Sequence, residues 1–172
     1  MEDFALQVLV PWVDARFRTQ ARPEARALVG FSAGGFGAAN LGLKHPDVWK
    51  VAASHNGFFS PRDDEENMTA ILGPPGLGPP GAAWDRNDPT KLLNERGPAD
   101  GLRFYGDIGE GDDLQDEFAR FGSQLQARGV LHEMHIFPGR HTWEYWAAHF
   151  HDSLLFADKY LARQQPLGNR RS

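Results

Sequence analysis

Short apolar runs alternate with stretches of helical periodicity over most of the chain, and this alternation predicts an α/β fold. Ala25 to Val29 (Ala-Arg-Ala-Leu-Val) and Trp49 to Ser54 read as short buried strands, with Gly35 to Lys44 between them as a small-residue helix able to pack close to a sheet. Together they make a β-α-β unit, whose crossover is expected to be right-handed and whose strands are expected to be parallel. Leu102-Arg103-Phe104-Tyr105 and Glu133 to Phe137 read as two further strands, separated by a helix with Leu114, Phe118, Phe121 and Leu125 at helical spacing. A last helix, rich in aromatic residues, runs from about Thr142 through Tyr160. At the other end, a helix over Asp3 to Thr19 turns Phe4, Val8, Leu9, Trp12, Val13 and Phe17 toward one side, and Pro11 is expected to kink it. The sum is a mostly parallel sheet of about four strands flanked by helices.

The pattern breaks between Ser60 and Gly101, where Pro and Gly crowd together, above all in Gly73-Pro74-Pro75-Gly76-Leu77-Gly78-Pro79-Pro80-Gly81. Such a run forms neither a regular helix nor a central strand. Residues 60–101 are therefore expected to be an insertion within a single domain over 1–164, either a lid over substrate or a connector, with 165–172 as a frayed tail.

Composition narrows the chemistry. The 172 residues suffice for one domain with a real core, and 41% hydrophobic against 24% charged residues is ordinary for a globular chain. A formal net charge of −5 offers no basic field for nucleic acid or anionic lipid, so neither is an expected partner. The chain has no cysteine, hence no thiol nucleophile, disulfide or Cys-based metal site. The acidic start, Met1-Glu2-Asp3, lacks the form of a signal peptide, and no run is long enough to span a membrane. These residues favour a cytoplasmic location.

Gly30-Phe31-Ser32-Ala33-Gly34 matches G-x-S-x-G between a predicted strand and a predicted helix, the setting of a nucleophile elbow. A serine hydroxyl is a weak nucleophile, so it must stand clear of its neighbours within reach of a base. The pentapeptide alone is unspecific in a chain with 19 glycines, where a Gly/Ser loop is the plain alternative. Later residues add weight: Ser32, Asp112 and His141 each fall just beyond a different strand's carboxyl end, in the chain order Ser, Asp, His. His141 would take the serine proton, while a carboxylate fixes its tautomer. Asp107, Glu110, Asp112 and Asp113 crowd one loop; Asp112 is the foremost candidate, ahead of Asp113 and then Asp107, with a solvated acidic turn as the alternative for each. The pairs His132 and His135, and His149 and His151, support no closed metal site, so neither metal nor cofactor is expected. Phe31, His55 and Trp143 are candidate walls of a substrate pocket; His55 equally suits a structural hydrogen bond, and Trp146 suits the core.

These residues resemble the putative-esterase family of α/β-hydrolases, which includes tributyrin-type carboxylesterases, feruloyl esterases, S-formylglutathione hydrolase, enterochelin esterase and the mycolyltransferases. The likeness is carried by Val10 to Asp14, Gly30 to Asp47, Ala53 to Gly57, Asn87-Asp88-Pro89, Gly109 to Leu114 and Pro138 to Trp146. It implies Ser32 as nucleophile, Asp112 as acid, His141 as base, and the backbone N–H of Ala33 as half of an oxyanion hole, acting on a small-molecule ester. The same acyl-enzyme could serve an acyltransferase, and a catalytically silent binding domain is a third reading. In that fold the elbow follows the fifth strand, yet only about thirty residues precede Ser32. The resemblance therefore implies the C-terminal part of the domain, with an open sheet edge and apolar face, a single oxyanion donor, and a possible N-terminal partner chain or homo-oligomer to complete it.

Overall fold

The computed structural model describes residues 2–60, 69, 82–95 and 101–161. In chain order these form α1 (Glu2–Phe4), a π-helical turn (Ala5–Leu9), α2 (Val10–Arg16), a 3-10 turn (Pro23–Ala25), β1 (Ala27–Phe31), α3 (Ala33–Lys44), β2 (Val51–His55), α4 (Ala82–Asp85), α5 (Pro89–Glu95), β3 (Arg103–Gly109), α6 (Gln115–Ala127), β4 (Leu131–Phe137) and α7 (Trp143–Tyr160). Most of the expected lid, and the tail 165–172, lie outside the described residues.

The four strands form one sheet in the order β1-β2-β3-β4, and every pair is parallel. Side chains alternate across it, as the two-residue period of a strand requires. Ala52 and Phe104 point into a core completed by Leu43 of α3, Leu92 and Leu93 of α5, and Phe118, Phe121 and Leu125 of α6. Val51, Ala53 and Tyr105 point to the other face, against Phe156 and Ala157 of α7. Helices thus cover both faces of a parallel sheet, which explains why β2 is buried along its whole length. In the larger core the Phe59 and Phe121 rings stack with centroids 4.0 Å apart, and each fully buried ring stabilises the fold by about 1.5–3 kcal/mol.

Several boundaries differ from the sequence reading, for physical reasons. β1 begins two residues later than expected because Pro23 starts a 3-10 turn through Ala25. β3 runs on through Gly106-Asp107-Ile108-Gly109, read above as loop; Asp107 is tolerated inside the sheet because His55 and Tyr145 meet its carboxylate. The break expected at Pro11 takes the form of the π-helical turn, closed by the Val10 N–H on the Ala5 carbonyl. Within the stretch expected to be irregular, α5 is a true helix: Pro89 opens it and Asp88 Oδ1 accepts the Lys91 N–H at 3.0 Å, capping its amino end.

The amino-terminal helical segment is tied down by charge rather than by packing. Glu2 meets Lys44 and His45, each at 2.6 Å, and Asp14 pairs with Arg26. Phe4, Val8, Leu9, Trp12 and Phe17 remain exposed, and among the described residues β1 pairs on one side only. A cavity of about 370 Å³ lies between this segment and β1, lined in part by Leu9, Val13, Ala27, Leu28 and Trp49. Among the described residues no helix is long and apolar enough to cross a membrane.

Candidate active site

β1, β2, β3 and β4 all end at one edge of the sheet, and the segments leaving them converge there, the usual ligand edge of an open parallel sheet. Ser32 follows β1 and precedes the first residue of α3, with φ 52° and ψ −119°. That conformation is sparsely populated for a residue with a side chain and persists only when its surroundings impose it. Two backbone bonds do so: the Ser32 N–H donates to the His55 carbonyl at 2.9 Å, and the Ser32 carbonyl accepts the Phe36 N–H at 3.1 Å. Gly30 makes the turn possible, because a β-carbon there would sit 2.1 Å from the Gly34 carbonyl oxygen.

The loops after β3 and β4 are joined by backbone. Glu110 N–H donates to the Phe137 carbonyl at 2.8 Å and Gly111 N–H to the Gly139 carbonyl at 2.9 Å. This brings His141 over Asp112: His141 Nδ1 lies 2.8 Å from Asp112 Oδ2, and His141 Nε2 lies 2.8 Å from Ser32 Oγ. Of the crowded acids, Asp112 is buried and faces His141, whereas Glu110 and Asp113 are exposed and Asp107 is used elsewhere. Burial would raise the Asp112 pKa, but hydrogen bonds from His141, Asn56 and the Leu114 N–H outweigh it and hold the carboxyl below its ordinary value.

The three candidate pocket residues have different fates. Phe31 lies at the centre of an aromatic group, with ring centroids 5.5 Å from Trp146, 5.6 Å from Phe150 and 6.4 Å from Trp143. Trp143 is 72% exposed, while Trp146 is buried and donates its indole N–H to Asn56 Oδ1 at 3.0 Å. His55 does not front the opening: it is wholly buried behind Phe31, its Nδ1 2.7 Å from Asp107 Oδ2 and its Nε2 2.9 Å from Ser153 Oγ. It therefore serves the structural bond that was the other expectation, and Tyr145 completes the network by donating to Asp107 Oδ1 at 3.1 Å. The N–H of Ala33, as the first residue of α3, has no intrahelical acceptor and directly follows Ser32.

Sequence reading passed over Asn56, which donates from Nδ2 to Asp112 Oδ2 at 2.5 Å and has φ 48°. Its only sequence signal is an Asn before a Gly at a strand end, where a left-handed backbone is common. The cavity beneath the amino-terminal segment is lined by none of these residues. No cluster of His, Asp and Glu able to hold a metal occurs among the described residues.

Residues 1–157 match the model of the family described as "Putative esterase". Among curated proteins, the esterase Rv1288 of Mycobacterium tuberculosis is 31% identical over 166 residues, covering 83% of this chain and 36% of its own. The diacylglycerol acyltransferase/mycolyltransferase Ag85C of Mycobacterium avium is 27% identical, covering 84% of this chain and 48% of its own. Among solved structures, a ferulic acid esterase superposes with a TM-score of 0.78 at 25% identity over 94% of this chain and 61% of that one. An S-formylglutathione hydrolase from Agrobacterium tumefaciens gives 0.77 at 20% identity, a likeness of fold, over 94% and 58%. The chain thus spans between about a third and a half of these curated relatives.

Proposed function

Because the chain belongs to the Putative esterase family, we propose that it is a serine hydrolase of carboxylic esters that works through an acyl-enzyme on Ser32. The observation that supports this most directly is the unbroken line from Ser32 Oγ through His141 to Asp112, with 2.8 Å at each step. In this reading His141 Nε2 takes the hydroxyl proton as Ser32 Oγ bonds to the ester carbonyl carbon. The carboxylate of Asp112 holds the Nδ1–H tautomer and stabilises the imidazolium that forms. The carbonyl oxygen, now an anion, is met by the Ala33 N–H, aided by the amino end of α3. Collapse of the tetrahedral intermediate breaks the carbon–oxygen bond to the alcohol, which leaves with the proton from His141. Water then repeats the sequence on the acyl-enzyme and releases the acid. Every step is carried by side chains and backbone, so the reaction calls for no cofactor.

The substrate in this reading is a small-molecule ester whose apolar part rests on Phe31 and Trp143. A second reading, favoured by the likeness to the acyltransferase, keeps the same acyl-enzyme and passes the acyl group to an alcohol in place of water. An excess of acceptor alcohol separates the two by partitioning the product between acid and new ester.

The deciding experiment is intact-mass analysis after exposure to a fluorophosphonate, with Ser32→Ala as control. Such a probe reacts appreciably with an activated serine. One adduct that vanishes in the variant supports the reading. A folded chain that takes up no adduct would overturn it in favour of a silent binding domain.

A further inference from the structure

Asn56 is the least explained residue at the site. It is wholly buried, stands in a left-handed conformation, and commits its N–H and both ends of its side-chain amide to the residues around it. Its N–H donates to the Asp107 carbonyl at 2.8 Å, which fixes the backbone against β3. Its Nδ2 reaches Asp112 Oδ2 at 2.5 Å, the same oxygen that faces His141 Nδ1. Its Oδ1 accepts the Trp146 indole N–H at 3.0 Å. Trp146 in turn presents its ring to the edge of His141, centroids 5.3 Å apart at 77°, and stacks on Phe31 at 5.5 Å. One amide therefore touches the acid at one end and, at the other, the ring that supports the base.

We propose that Asn56 is a positioning residue, which fixes the Asp112 carboxylate directly and the His141 ring through Trp146. The two contacts demand both halves of an amide: a donor toward a carboxylate and an acceptor toward an indole N–H. Serine is too short to span them, and aspartate supplies the acceptor but sets an oxygen against the Asp112 oxygen. The positive φ also selects for asparagine over other residues with a side chain. The chemistry excludes a nucleophilic or proton-transferring part for Asn56, since an amide does not titrate and its contacts stop one residue short of Ser32. The proposal rests on the Ser32–His141–Asp112 reading, and its test separates the two.

Two variants divide the functions of the side chain. Asn56→Gly removes both contacts yet keeps the left-handed backbone. Asn56→Asp keeps the shape and the acceptor for Trp146 but replaces the donor to Asp112 by an acid, which either adds a charge beside that carboxylate or shares its proton, so Asn56→Gly is the variant that reads the loss of the donor without a new acid. Without that donor Asp112 loses one of the hydrogen bonds that hold its carboxyl below the ordinary value, and the field it sets up at the His141 ring is what the measurements read. The other ionisable groups in this network are Tyr145, which senses the Asp112 charge, Asp107, and His55, and none of them is altered in either variant.

The first measurement is the rate of fluorophosphonate labelling against pH. Both variants should label at least about tenfold more slowly at neutral pH, with the acid limb moved upward by about half a unit to one unit. The second does not depend on turnover: the His141 titration followed by NMR should move upward in both variants, and the Trp146 indole N–H should lose protection in Asn56→Gly alone. Far-ultraviolet circular dichroism verifies that each variant is folded. If Asn56→Asp and Asn56→Gly fold and leave the His141 titration within about 0.2 units of the parent, Asn56 has only a packing role and the proposal fails. If Ser32 never labels but the titration and the indole signal move as stated, the positioning role stands and the esterase reading falls.

Discussion

Gly35 of α3 lies directly against Gly57 just beyond β2: a β-carbon on Gly35 would fall 3.1 Å from the Gly57 α-carbon and 2.5 Å from Ser54 Oγ. The helix that follows Ser32 and the segment that carries Asn56 therefore approach backbone to backbone. Across this close approach Ser32, following β1, and Asp112, bonded to Asn56, each lie 2.8 Å from His141. Gly35→Ala is expected to cost about 1–3 kcal/mol through overpacking and to slow Ser32 labelling. Because the nearest obstruction is a hydroxyl, Ser54→Ala in the same chain should recover part of both losses. Chemical denaturation and labelling of the single and double variants check this, and equal losses with and without Ser54→Ala would contradict it.

His141 and Asp112 should behave as one unit with Ser32. Asp112→Asn leaves the shape but offers His141 the wrong hydrogen-bonding partner, and a loss of roughly ten-thousandfold in turnover is expected. His141→Ala should lose as much or more. Combining either with Ser32→Ala should add little, because a broken relay is not broken further by a second cut. Additive losses in a kinetic comparison of the variants would mean that the three act separately.

The tight turn at Gly30 to Gly34 was legible in the sequence because its signal is local, and Ser32, Asp112 and His141 could be placed just beyond the ends of three different strands, which the structure has as β1, β3 and β4. What escaped depends on partners distant in the chain. Asp107 reads as a loop acid because a lone carboxylate does not belong in a sheet, and only His55 and Tyr145, brought in from β2 and α7, make it tolerable. Asn56 reads as a turn residue because nothing nearby in sequence announces Asp112 or Trp146. Likewise α5 was hidden by the Pro and Gly around it, although Asp88-Pro89 is a capping signal in its own right.

Acid should weaken the folded chain through Asp112. Its pKa is held below the ordinary 3.8, against the pull of burial, by His141, Asn56 and the Leu114 N–H. The folded state therefore binds the Asp112 proton less readily than the unfolded state does. The stabilisation is present above about pH 4 and is lost as pH falls through the depressed folded value. Asp112→Asn should flatten that part of the stability profile, measured as the denaturation midpoint against pH. A profile as steep as the parent's would assign the acid sensitivity to other carboxylates.

Asp107 should carry stability rather than chemistry, since its carboxyl faces His55 and Tyr145 and not His141. Removing it as Asp107→Ala leaves the wholly buried His55 without the carboxyl that faces it and Tyr145 without its acceptor, and leaving a buried polar group unmatched costs about 1–3 kcal/mol. Denaturant titration measures the loss. The folded fraction should still label at Ser32, whereas folded protein that fails to label would place Asp107 nearer the reaction than its contacts indicate.

Trp143 should be the reverse case. With 72% of it exposed, Trp143→Ala should change stability by no more than about 0.5 kcal/mol. An ester that lies across Phe31 should nevertheless bind less well, seen as a raised KM for apolar acyl or alcohol groups with little change for the smallest ones. Unchanged KM across a chain-length series would remove Trp143 from the substrate surface.

The bond between Ser32 and His141 joins residues 109 apart in the chain. Closing so long a loop is entropically expensive, and the cost is met only after β1, β2, β3 and β4 have lined up in order. A partly assembled chain would already show helix by circular dichroism before Ser32 and His141 met. Under the proposed reading, labelling of Ser32 by a covalent probe would be a readout of tertiary completion, and it would count finished molecules in a refolding mixture that spectroscopy alone would overcount.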